Sequence, residues 1–383
     1  MHSLQITPYY VPAYAFGGVV RVVEGLSQAL VARGHDVTVL TTDAFTREEP
    51  LHHSAEEMLD GVHVLRCRNR VYPLRRVNLS TPFGMRSVLR HILPTVDVVH
   101  LHEFRTVESL LATQAAAQSG VPVVLSPHGT LTRTTGRSTM KSLWDRLLSP
   151  GVAQKIEHVI ALTEAEAGDV RSLWRELLGS EPDISIIPNG IHAAEFASLP
   201  DAADFRQRYG LGSDRVVLFL GRLHPRKGVD MLVRAFLQAN LPHTRLLLAG
   251  ADEGALQAIR PLLDDRIIHV GFLDATSRLE ALAAADLFAL PAKGEGLSLA
   301  SLEALAAGVP VLLSPECYLP EVESAGAGRV VAPEVAPLAK ALRDLFAEPA
   351  TLAAMREPAR QLIAAGYTWE RVAAQVEAVY NLY

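Results

Sequence analysis

Disulfide chemistry is the first thing this sequence lacks, because its 383 residues hold only two cysteines, Cys67 and Cys317, without CxxC or Cys/His spacing. That excludes a disulfide framework or a cysteine-based zinc site and predicts two buried, inert thiols. No stretch of 18 or more apolar residues occurs, and the N-terminus lacks the basic, then apolar, then small-residue order of a secretory signal. The expectation is therefore a cytoplasmic protein. Aromatic residues make up only 6% of the chain and the net charge is −6. Nucleic acid is disfavoured as a partner, since its binding rests on positive charge and stacking platforms.

Acid is missing from one region in particular. Residues 61–96 contain no Asp or Glu, yet Arg66, Arg68, Arg70, Arg75, Arg76, Arg86 and Arg90 all fall there. Such a stretch suits anionic phospholipid headgroups or the diphosphate of a lipid-linked acceptor, so a peripheral contact with the inner face of a membrane is expected. A second basic run, Arg133, Arg137, Lys141 and Arg146, follows further on. Lys+Arg against Asp+Glu is 18 against 19 in residues 1–190 and 18 against 23 in 191–383, which places the acid excess in the second half.

What is present is a globular composition, 49% hydrophobic and 20% charged, at a length that favours two domains with separate cores. Apolar runs alternate with helical patterns: Leu4 to Thr7, Val37 to Thr41, Val62 to Arg66, Val98 to Leu101, Val123 to Ser126 and Val159 to Leu162 read as strands. After the turn signal Asn189-Gly190 the alternation restarts with 216–220, 245–249, 267–270, 287–290, 309–313 and 328–332. Such alternation predicts an α/β fold of two doubly wound, Rossmann-like domains, 1–187 and 188–367, the boundary falling where Pro182, Pro188, Gly190 and Pro200 cluster.

Two segments carry the chemistry. In the run from Gly294 to Gly308, Ser298 reads as an N-cap, Leu299, Leu302, Leu305 and Ala306 repeat at helical spacing, and Gly308-Val309-Pro310 supplies a stop. Glu295 then precedes the helix and Glu303 rides its second turn, while the backbone N–H groups of residues 297 to 299 and the positive end of the dipole favour an anion such as a diphosphate. The second segment, Gly221-Arg222-Leu223-His224-Pro225-Arg226-Lys227-Gly228, joins the apolar run 216–220 to the helical pattern of Met231, Leu232, Ala235 and Phe236. Strand-to-helix loops line the ligand crevice in open α/β sheets. Arg222, with its planar fork, and Lys227, a movable point charge, can neutralise a diphosphate there. His128 also stands at a strand end, and His100 and His102 point to one side of their strand. As a metal pair these two need a third ligand.

At these segments the chain resembles the family 4 glycosyltransferases, in which two glutamates separated by seven residues follow a Gly-Arg-Leu loop with a Lys-Gly pair. The resemblance extends through Ile187-Pro188-Asn189-Gly190-Ile191, Ser126-Pro127-His128-Gly129-Thr130 and Gly17-Gly18-Val19-Val20-Arg21, leading to Gly34-His35-Asp36-Val37, and covers essentially the whole chain in family order. Two departures are His192 where the family often has Asp, and Leu297-Ser298 where it often has Phe-Gly. The resemblance implies the GT-B fold, with its two domains facing a central cleft and the terminal segment 368–383 packing back on the first. It also implies a retaining hexosyltransferase that uses a UDP- or GDP-sugar and a sugar or lipid-linked acceptor in cell-surface polysaccharide, glycolipid or related glycoconjugate synthesis.

The roles implied are equally specific. Arg222 and Lys227 act on the diphosphate, Glu303 receives the ribose hydroxyls, Phe272 and Leu273 flank the base, and Glu295 with Gly296, Leu297, Ser298 and Leu299 orients the hexose. Gly221 ends its strand beside the phosphates, while Gly17, Gly18 and His128 close on the donor from the first domain. No Asp-x-Asp triplet occurs, which disfavours the metal-bearing GT-A alternative. With Arg222, Lys227 and a helix N-terminus supplying positive charge, neither metal nor cofactor is expected. The rival readings are a catalytically silent nucleotide- or glycan-binding module and a sugar phosphorylase carrying pyridoxal phosphate on a lysine.

Overall fold

A computed structural model describes residues 1–46, 48–52, 54–77, 79–131 and 138–383. The chain divides into two compact units, Met1–Gly190 together with Trp369–Tyr383, and Ile191–Thr368.

In the first unit one sheet has the order β3-β4-β2-β1-β6-β7-β8-β9. Its members are β1 (His2–Ile6), β2 (Asp36–Thr42), β3 (Glu56–Leu59), β4 (Val62–Asn69), β5 (Pro82–Phe83), β6 (Val98–His102), β7 (Val123–Ser126), β8 (His158–Ala161) and β9 (Asp183–Ile186), with β5 pairing β4 off the main path. All pairs are parallel except those of β3 and β5 with β4. Leu4, Ile6, Val99, Leu101, Val123 and Leu125 are buried because the central strands are covered on both faces. The strands β3, β5 and β9 lie outside the sequence expectation. Glu56–Leu59 is short, half-exposed and acidic, the character of a guarded sheet edge rather than of an apolar run.

The last helix, Trp369–Tyr380, packs on the helix Gly18–Ala32 of this unit. Its indole occupies space that only glycine leaves open: a Cβ at Gly25 would lie 2.2 Å from the Trp369 ring, and one at Gly190 2.6 Å from it. Arg33 Nε donates to Glu377 at 2.6 Å further along the same contact.

The second unit is a parallel sheet ordered β12-β11-β10-β13-β14-β15. It comprises β10 (Arg215–Leu220), β11 (Thr244–Ala249), β12 (Ile267–Gly271), β13 (Leu287–Leu290), β14 (Val311–Leu313) and β15 (Gly328–Val330). β14 starts two residues later than the apolar run 309–313 suggests, since Pro310 has no N–H for the ladder. In both units the winding reverses beside the first strand, between β1 and β6 and between β10 and β13. Open α/β sheets bind ligands at such switch points, at the carboxyl ends of the strands.

Candidate active site

At the β10/β13 switch point two loops are laced together. His224 opens a short turn, Pro225–Lys227, by accepting from the Arg226 N–H at 3.1 Å. The Arg226 carbonyl accepts from Lys293 N at 2.7 Å, and the Arg226 guanidinium donates to the Gly294 carbonyl. Gly228 closes the turn at φ +69°, where a Cβ would meet the Pro291 carbonyl oxygen at 2.1 Å. Lys227 Nζ then reaches Glu295 Oε2 at 2.5 Å, with side chains 18% and 21% exposed. The cation after β10 and the carboxylate after β13, 68 residues apart in the chain, thus form one ion pair partly open to solvent.

Arg222 leaves β10 just after Gly221 and is held from the other side, its Nη1 2.9 Å from Glu253 Oε2 in the loop after β11. The helix Leu299–Ala306 begins at Ser298, whose side chain accepts from Ser301 N, as expected of an N-cap. Gly296 and Leu299 flank the buried Leu297 and Ser298, so the turn presents backbone more than side chain. Glu303 is buried and paired with Arg278 of the helix Ala275–Ala284, whose Nη2 also lies 3.6 Å from Glu195. Beyond β12, Phe272 is 75% exposed while Leu273 is buried, which leaves the Phe272 ring as the open stacking face.

The first unit gathers a different set. Gly17 ends the turn Tyr14–Phe16 and Gly18 starts the following helix, with no atom within 4 Å of a Cβ built at Gly17. His128 follows β7 in the left-handed region, at φ +54°. Its Nε2 lies 2.9 Å from His102 Nδ1. The neighbouring Gly129 N–H donates to Glu166 at 2.5 Å, and the second oxygen of Glu166 accepts from Leu162 N at 2.7 Å, so one buried carboxylate pins the loop. Burial holds the His128 imidazole down to about 4. At the end of β6, Glu103 is also left-handed, φ +74°, and burial with the nearby Glu108 carboxylate pushes its carboxyl up to about 7. All four ring nitrogens of His100 and His102 are spent on protein hydrogen bonds, which removes the metal-pair alternative for them.

Cys67 and Cys317 are both free and buried, and burial pushes the Cys67 thiol up to about 12. The basic stretch needs a correction. Arg66 is 7% exposed and binds Glu57 and the Val11 carbonyl, while Arg75 is fully buried on the carbonyls of Glu48 and Glu49, so neither belongs to a basic surface. Arg68, Arg70, Arg86 and Arg90 are exposed. The Arg76 side chain and residues Arg133 and Arg137 lie outside the described residues. Among the described residues no helix is long and apolar enough to cross a membrane.

Sequence reasoning did not find Arg278, Glu253, Arg226, Glu166 or Gln5 as members of these sites. Only Arg226, adjacent to Lys227, carried a local signal.

A doubly wound sheet present twice, with charged strand-end loops at a switch point, defines the architecture of the GT-B glycosyltransferases. The crystal structure of Anabaena Alr3699/HepE in complex with UDP-glucose shares it over 100% of both chains, with a TM-score of 0.76 and 19% identity. The model of Glycosyltransferase Family 4 matches residues 16–195, and that of Glycosyl transferases group 1 matches residues 201–362. Glycogen synthase of Mycobacterium tuberculosis (strain CDC 1551 / Oshkosh) is 30% identical over 408 residues, covering 99% of this chain and 94% of that protein. A GDP-mannose-dependent monoacylated alpha-(1-6)-phosphatidylinositol monomannoside mannosyltransferase of Corynebacterium glutamicum is 32% identical over 281 residues, 68% of this chain and 70% of its own. The chain belongs to the family 4 glycosyltransferases and is a hexosyltransferase.

Proposed function

We propose that this glycosyltransferase moves a hexosyl group from a UDP- or GDP-sugar to a hydroxyl of a sugar or lipid-linked acceptor, with retention of configuration and without a metal. The observation that carries the reading is the Lys227–Glu295 pair at the β10/β13 switch point, beside Arg222 and a capped helix N-terminus. There the cations and the helix dipole meet the diphosphate. As the bond from C1 to the β-phosphate oxygen breaks, negative charge grows on that phosphate, and Lys227 and Arg222 stabilise it. The acceptor hydroxyl attacks C1 from the leaving-group face and passes its proton to the departing phosphate oxygen, giving the glycoside and a nucleoside diphosphate. Glu295, freed from part of its pairing, orients hexose hydroxyls together with the backbone of 296–299. Glu303, fixed by Arg278, receives the ribose hydroxyls, and Phe272 stacks on the base. His128 takes a hydroxyl of the donor sugar.

The relatives support a nucleotide-hexose donor, one being GDP-mannose-dependent and one fold neighbour holding UDP-glucose. A lipid-linked acceptor suits two further features of the first unit. Arg68, Arg70, Arg86 and Arg90 are exposed, Arg68 pairing across the ladder with the exposed Phe83 and Arg70 lying over its ring at 3.9 Å. On the helix Ser138–Leu147, Met140, Leu143 and Leu147 are all exposed, while its one acid, Asp145, is buried against Arg105.

The test is incubation with UDP-glucose, GDP-mannose and ADP-glucose in EDTA without acceptor, with release of nucleoside diphosphate measured and the anomer of the freed sugar read by NMR. Release from a UDP- or GDP-sugar that survives chelation and yields the donor's own anomer is expected. Absence of release from every donor points to the silent binding module, and activity restored only by Mg²⁺ or Mn²⁺ overturns the metal-independent reading.

A further inference from the structure

His128 ends a buried chain of hydrogen bonds that starts on the last helix. Tyr380 Oη lies 3.1 Å from Gln5 Nε2 and 2.6 Å from His100 Nδ1, and His100 Nε2 lies 2.8 Å from Ser126 Oγ. Gln5 Oε1 lies 2.9 Å from His102 Nε2, and His102 Nδ1 the same distance from His128 Nε2. The His102 and His128 rings have centroids 5.2 Å apart and planes 11° apart, the geometry of an in-plane, edge-to-edge hydrogen bond. Gln5, His100 and His102 have no exposed surface, and Tyr380 is 2% exposed.

With the Gln5 amide nitrogen on Tyr380 and its oxygen on His102, the protons along the branch to His128 follow from donor and acceptor capacity. An amide nitrogen only donates and an amide oxygen only accepts. Tyr380 Oη therefore receives from Gln5, and its own proton can go to His100 Nδ1, an arrangement that leaves His100 Nε2–H for Ser126. On the other branch His102 must carry its proton on Nε2 to serve Gln5 Oε1. Burial keeps the imidazoles neutral, with His100 held down to about 3 and His102 well below its ordinary value. A neutral imidazole has one proton. His102 Nδ1 is then an acceptor, His128 Nε2 the donor to it, and His128 Nδ1 a bare lone pair. That Nδ1 is buried and has no partner among the described residues. The left-handed backbone at His128, pinned by Glu166 through Gly129, keeps the ring in this place at a conformational cost that sites with a function tolerate.

We propose that Gln5, His102 and Tyr380 are positioning residues that lock His128 in the Nε2–H form, so that its Nδ1 can only accept a hydrogen bond from a substrate hydroxyl. The inference rests on the reading of His128 as a substrate contact. Turning the Gln5 amide over would reverse every link and make His128 a donor instead. Tyr380 couples that reversal to His100 and Ser126, which would have to reverse with it.

The experiment is ¹⁵N NMR of the histidine side chains in the full-length protein at neutral pH, with His128 identified by the signals lost in His128→Gln. Wild type is expected to show His128 Nδ1 unprotonated and Nε2 protonated. Tyr380→Phe and His102→Asn are expected to populate both forms and to lower kcat/KM about three- to tenfold, the worth of one hydrogen bond to substrate. A wild-type His128 protonated on Nδ1 overturns the assignment, and needs no variant to fold. Unchanged His128 signals in Tyr380→Phe overturn the role of the chain. A shifted tautomer with unchanged kcat/KM overturns His128 as a substrate contact while leaving the donor chemistry of Lys227 and Glu295 untouched.

Discussion

The two switch points are built from opposite materials. In the second unit, Lys227, Glu295, Arg222 and Glu253 meet as ion pairs that remain partly open to solvent. In the first, His100, His102, His128, Gln5 and Tyr380 meet as neutral, mostly buried groups joined by hydrogen bonds. Under the proposed function a diphosphate carries its charge into the first kind of site, where the cations can follow that charge as it shifts during bond breaking. Selecting a hydroxyl asks for direction rather than charge, which a desolvated chain of fixed polarity provides. In the proposed function this difference would separate holding a leaving group from choosing a sugar.

The hardest blow to the charged side of this contrast is Lys227→Ala. Turnover is expected to fall on the order of 10²–10³-fold with the melting temperature nearly unchanged, as for loss of one donor to a developing oxyanion. Steady-state kinetics beside a thermal melt read both quantities, and wild-type kcat would remove Lys227 from the phosphate. Next comes a buried pair of the second unit. Arg278→Ala leaves Glu303 buried without its main partner, so chemical denaturation should show a loss of about 3 kcal/mol. Arg222→Ala, which opens an exposed pair, should cost under about 1 kcal/mol. Equal effects would mean that burial does not distinguish the two. Last come the exposed arginines of the first unit. Changing Arg68, Arg70, Arg86 and Arg90 to Ser should weaken sedimentation with anionic vesicles by roughly 1 kcal/mol for each arginine that meets the surface, and high salt should do the same to wild type. Binding that ignores both salt and the substitutions would assign the arginines to solvent alone.

The same contrast explains what could be read from the sequence. The strands β10 and β13, the Ser298 cap and the stop at Gly308 are local patterns, and so is the pairing of cations in one loop with carboxylates around one helix start. Family resemblance pointed to the same loops. The partners of those groups were not local: Arg278 reaches Glu303 from 25 positions away, and Tyr380 reaches Gln5 from 375. Nothing in the periodicity around Gln5 marks it as more than a polar residue in a strand. Arg66 and Arg75 show the reverse failure, since a run of arginines without acids looks like a surface until the carbonyls of Val11, Glu48 and Glu49 are found at the ends of two of them.

The return of Trp369–Tyr383 to the first unit also has a consequence for synthesis on the ribosome. The second unit is a continuous segment and can close on itself as it emerges, whereas the first waits for residues made some 180 positions after Gly190. Until then the Gly25 and Gly190 recesses stand without their indole, and Gln5 and His100 lack the hydroxyl that joins them. The unit begun first is therefore completed after the second, and Gln5 and His100 gain the Tyr380 hydroxyl only once both sheets have been made.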